Sequence, residues 1–164
     1  ILLLFPLLAG CMFMGVYTYR AEEFREKGGA QTFESWRIHV NVSGPESHDY
    51  KIDCTARTRR SGGHSGPEWK VESAYRAHFD SLKITYVQDK QVIELPLDHL
   101  VHSDGAAEAY ISLSQQGQVS IPHQVRKLHA TVTMTFTHEQ TRTSLTKVFE
   151  FEMKKSSGKR MGME

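Results

Sequence analysis

Nine histidines are the first residues that could do chemistry in this 164-residue chain, and only two lie close together. His99 and His102 fall within Asp98-His99-Leu100-Val101-His102-Ser103-Asp104. Imidazole and carboxylate together can hold zinc, but a structural site wants four ligands and no recognised spacing completes this set. The segment reads as a solvated loop, and no metal or cofactor is expected. His39 and His129 share the phase of polar strand neighbours, and with His138 they read as surface residues. Nucleophilic chemistry is no better supplied. Ser61 to Ser65 encloses His64 but lacks the strained strand-to-helix elbow that exposes a hydrolase serine. Gly62-Gly63 does not precede a helix, so no phosphate cradle is expected. Cys54 lies in apolar phase with Tyr50 and Ile52, where a thiol behaves as a small hydrophobe. The chain is expected not to be an enzyme.

Binding is the remaining chemistry. Arg57, Arg59 and Arg60 form the densest basic group in the chain, beside the loop Ser61-Gly62-Gly63-His64-Ser65-Gly66-Pro67. Arginine carries a planar fork suited to anionic groups, so Arg57, Arg59, Arg60 and His64 are the candidate partner-binding residues. The competing account is a solvated strand end next to a flexible loop. A row of threonines from Thr131 to Thr137 fits a pleated, half-exposed sheet face without further function.

The other informative segment is an address. Residues 1 to 17 carry no charge, and an apolar run at an N-terminus is read as targeting before it is read as fold. The chain opens on Ile, which predicts further residues upstream, including any basic n-region. Ile1-Leu2-Leu3-Leu4-Phe5-Pro6-Leu7-Leu8 forms an h-region and Ala9-Gly10-Cys11 follows. Leu8-Ala9-Gly10-Cys11 resembles the lipobox of bacterial lipoproteins. The resemblance implies that Cys11 becomes the lipidated N-terminus and that residues 1 to 10 are removed. Each buried methylene contributes about 0.8 kcal/mol, so several acyl chains make a stable anchor. Met12-Phe13-Met14-Gly15-Val16-Tyr17 stay apolar after the cysteine, which leaves an uncleaved anchor as the alternative. Seventeen residues of helix would span roughly 25 Å, slightly less than a hydrocarbon core of about 30 Å. Both readings put the domain outside the cytoplasm, on a bacterial outer membrane or periplasmic face.

Composition narrows the partners. Twenty basic residues against nineteen acidic ones leave a net charge of +1, so a nucleic-acid footprint is not expected. Of two cysteines, Cys11 is consumed if lipidated, leaving Cys54 without a disulfide partner in the chain.

The elements that must carry any site are strands. Trp36, Ile38, Val40 and Val42 alternate with polar residues, as do Tyr50, Ile52, Cys54 and Ala56, in the period of half-buried strands. Leu82, Ile84 and Tyr86 lead through Gln88-Asp89-Lys90 into Val92 to Leu97, which predicts a hairpin. Leu128, Ala130, Val132, Met134 and Phe136 define the clearest strand, and Phe149, Phe151 and Met153 its partner. About seven strands separated by turns predict an all-β, antiparallel, two-sheet sandwich of immunoglobulin-like architecture, with a small barrel as the other possibility. The expected organisation is a signal peptide or anchor over 1–17, a tether over 18–32, the domain over 33–155 and a disordered tail over 156–164. The expected function is that of a membrane-tethered envelope lipoprotein serving as a binding or structural accessory module for a protein partner. A periplasmic ligand-binding or toxin-inhibiting protein is the alternative, as is a signal-anchored single-pass protein with a β-sandwich ectodomain.

Overall fold

The computed structural model describes residues 16–45, 49–58, 73–114 and 119–163. It is all-β: β1 (Val16–Glu26), β2 (Gln31–Phe33), β3 (Trp36–Pro45), β4 (Asp49–Thr58), β5 (Tyr75–Gln88), β6 (Gln91–Glu94), β7 (Leu100–Ser103), β8 (Glu108–Leu113), β9 (Val119–Ser120), β10 (Lys127–His138) and β11 (Ser144–Met163). Alternation explains most of them. In β10, Leu128, Ala130, Val132, Met134 and Phe136 are all buried, while the intervening threonines are half-buried. β-Branched side chains suit that pleated surface.

All pairing is antiparallel, and the strands connect in one sheet of order β6-β5-β10-β11-β1-β3-β4-β8-β7, with β2 added to β3 and β9 to β4. The expected all-β, antiparallel class is observed, and the strands pair as a single sheet that curls until the regions near its two edges touch. Ala77 of β5 and Gly105, between β7 and β8, exchange backbone hydrogen bonds of 3.0 and 3.4 Å. A curl of this kind encloses one core with one sheet, so alternating strands alone could not distinguish it from two facing sheets. Trp36, Ile38, Ile52, Ile84, Val132, Phe136, Phe149 and Phe151, the residues on the apolar phase, are all buried.

β5 runs unbroken through a region that reads as irregular in sequence. Its register against β10 shifts between Thr133 and Met134, where Ser81 and Phe79 are the partners and Asp80 is the extra residue. This bulge moves the buried phase from Ala77 and Phe79 to Leu82, Ile84 and Tyr86. The β5–β6 hairpin turns on Asp89 and Lys90, both at positive φ (51° and 64°), as a two-residue turn matched to strand twist requires.

The expected tether and tail are also strands. β1 and β11 pair from Val16↔Met163 to Glu26↔Met153. β3 joins β1 only from Ala21 to Phe24, and β10 joins β11 only as far as Lys154. Val16 to Arg20 therefore pair with β11 alone among the described residues, in a two-stranded ribbon that leaves the sheet. Tyr19 to Lys27 hides its strand period because one inward position is Glu22, beside buried Phe24. No helix of the described residues is long and apolar enough to cross a membrane. Residues 1 to 10 and Cys11 lie outside the described residues.

Candidate functional site

Two features come together where β10 begins: a groove and a buried charge cluster that fixes one of its walls. The groove has a volume of about 560 Å³ and is lined by the end of β5, the start of β10, the middle of β11 (Glu152 to Lys154), Val92 of β6 and the loop Gln124-Val125-Arg126. Val87 and Val92 pair across the hairpin and are 67% and 72% exposed. Leu128 and Met153 belong to the core and also line the groove. Arg126, Lys127 and Lys154 supply charge at its rim, all three exposed.

Behind the groove, period 2 along β11 puts Phe149, Phe151 and Met153 inward and continues to Lys155, whose side chain is only 2% exposed. Its Nζ lies 2.8 Å from Oε2 of Glu22, itself on the inward phase of β1. The Tyr50 hydroxyl donates to the same carboxylate at 2.5 Å, and His123 Nδ1 lies 3.8 Å from its other oxygen. Burial pushes the Glu22 carboxyl up, but the hydrogen bonds from Lys155 and Tyr50 and the charges of Lys155 and His123 outweigh it. The net result is a carboxyl below its ordinary range. The Tyr50 phenol is pushed far above its ordinary value, first by burial, then by its hydrogen bond to Glu22 and by that residue's charge.

The cluster also ties down the loop. Lys155 donates from its backbone N to the Arg126 carbonyl at 2.9 Å and from Nζ to the His123 carbonyl at 3.2 Å. Ile121 and Val125 are buried beneath the loop. Chemically this is a satisfied ion-pair network that holds a wall in place, with the charged groups engaged by one another.

The residues singled out by sequence are distributed differently. Arg57 is exposed and paired with Glu108, Nη2 to Oε1 at 2.7 Å, so its fork is already occupied. Arg59, Arg60 and His64 lie outside the described residues. His99 stands in a turn at φ 61° and does not join His102. Instead His102 meets the His78 ring edge-on, with centroids 5.6 Å apart. Asp104 Oδ1 lies 2.7 Å from His78 Nδ1. Asp80, the bulged residue, is 3.7 Å from His78 Nε2 and accepts from the Thr135 hydroxyl at 2.8 Å. The structure thus brings the 98–104 segment to a third histidine across the closure of the sheet. Among the described residues no group of three or more His, Cys, Asp or Glu side chains is arranged to hold a metal ion. His39 is not simply exposed, since Nδ1 lies 3.3 Å from Glu26 Oε2. Cys54 is fully buried, and burial, then the charges of Glu26 and Asp53, raise its thiol well above the ordinary value.

Sequence reasoning missed Glu22 and Lys155. The available signal was a charge on the buried phase of each strand, Glu22 beside Phe24 and Lys155 after Met153, with opposite signs.

No protein-family model, curated protein or solved structure matches this chain. Its class is therefore the one its own geometry defines: an all-β protein on one curled antiparallel sheet, with an apolar groove rimmed by cations at one end.

Proposed function

We propose that this chain is a membrane-tethered, extracytoplasmic module that acts by binding, anchored through a lipid on Cys11. The observation that carries the reading is the position of the ribbon. The uncharged run reaches Tyr19, and β1 begins at Val16. From there to Arg20 the strand pairs only with β11 among the described residues. A ribbon that runs on beyond the strands packed on the core, at the end of the chain that follows the apolar run, supports a tethered arrangement. Binding at the groove is supported by its size, within the range of about 300–1,000 Å³ typical of ligand pockets. Exposed paired valines beside it add an apolar wall of the sort that marks interaction sites.

Expression in a bacterial host tests this. The protein should fractionate with the envelope, and protease added to spheroplasts should digest the β-domain. A domain protected inside intact spheroplasts would contradict the reading.

A further inference from the structure

We infer that the groove binds a long-chain carboxylate, its acyl chain against Val87, Val92 and Leu128 and its head among Arg126, Lys127 and Lys154. The inference rests on the binding reading above and names its ligand class. Three observations support it. First, Lys127 and Lys154 are direct cross-strand partners, and like charges opposite one another destabilise a sheet unless an anion relieves them. Second, none of Arg126, Lys127 and Lys154 makes an ion pair within 4 Å among the described residues; the one carboxylate lining the groove, Glu152, is engaged by Lys27 at 3.1 Å and meets Lys127 only through its charge. Third, the lining also holds exposed apolar surface, Val87 and Val92 being two-thirds or more exposed.

Other occupants match fewer of these features. A neutral chain would bring no anion to the cations at the rim, and neither would the chain's own residues 1 to 15, which carry no charge. A second copy would bring the same cations to the same face. A nucleic acid would have no use for the paired valines. A long-chain carboxylate satisfies both the rim and the apolar lining, since charge-assisted hydrogen bonds to a carboxylate are the strong ones and the chain removes apolar surface from water.

The full chain, reconstituted in discs of neutral lipid, would be photolabelled with a diazirine-bearing palmitate and, separately, with the alcohol of equal chain length. Labelled peptides would be mapped by mass spectrometry. Palmitate should label peptides carrying Val87, Val92 or Val125 in preference to the alcohol. The triple variant Arg126→Gln, Lys127→Gln, Lys154→Gln should lower palmitate labelling about tenfold, as loss of charged contacts to the head would, and leave alcohol labelling as it was. All three positions are exposed, and circular dichroism would verify that the variant is folded. Equal labelling by both probes, insensitive to the triple variant, would overturn the carboxylate while leaving an apolar binding groove. Labelling by neither would overturn both readings of this groove. Displacement of palmitate by a peptide of residues 1 to 15 would identify the chain's own segment as the occupant and overturn the inference.

Discussion

Lys155 and Glu22 form an ion pair at 2.8 Å with side chains only 2% and 6% exposed, joining adjacent strands at the end of the sheet where the groove opens. Such a pair is costly to desolvate, and removing one partner strands the other charge, typically at about 3–5 kcal/mol. Lys155→Met should therefore destabilise the domain by about that amount in urea unfolding. The double variant Glu22→Gln, Lys155→Met should recover much of the loss, because glutamine is neutral and still accepts from Tyr50. Equal losses in the single and double variants would show that the pair is not coupled in this way.

The same cluster sets the pH range of stability from both sides. Glu22 is depressed in the folded state, so its contribution is fully present above its unfolded value of 4.5 and is lost as pH falls through the folded one. Tyr50 is raised in the folded state, so its contribution is present below 10.0 and is lost as pH climbs above that value. Unfolding free energy measured against pH should fall at both extremes. Glu22→Gln should flatten the acid limb and also weaken the alkaline one, because the Glu22 hydrogen bond and charge help to raise Tyr50. Tyr50→Phe should remove the alkaline limb and leave much of the acid one, which Lys155 and His123 still support.

How much of this could be read from sequence depended on whether the buried phase was apolar. Strands β3, β4 and β10 and the core run of β11 were legible because their inward residues, such as Ile38, Ile52, Val132 and Phe151, alternate with polar ones. β1 was not, because Glu22 occupies an inward position, and a charge there mimics a tether. The extension of β11 past Lys155 was hidden in the same way, since Ser156-Ser157-Gly158 reads as a tail until β1 is known to pair with it. Closure of the sheet depends on Ala77 meeting Gly105, a contact without a periodic signature. The groove was invisible for a related reason. Its walls come from four strands and a loop that become neighbours only through the register of β5, β10 and β11.

Gly105 is the residue that permits closure. A Cβ built there collides with the Glu108 carbonyl oxygen, and the backbone on both sides is committed to other strands. Gly105→Ala should cost about 1–3 kcal/mol, the usual range for overpacking. It should also speed hydrogen exchange at the Ala77 amide, which donates to Gly105. Unchanged exchange at Ala77 with an unchanged midpoint would mean that the bridge does not close the sheet in solution.

The anchor on Cys11 is the claim on which the rest of the functional account depends most directly. Its decisive measurement is the mass of the N-terminal peptide of protein extracted from bacterial envelopes. The account predicts a peptide that begins at Cys11 and carries the added mass of acyl chains, with Cys11→Ser giving an unprocessed chain of otherwise normal fold. A wild-type peptide still carrying residues 1 to 10, with an unmodified cysteine, would contradict it.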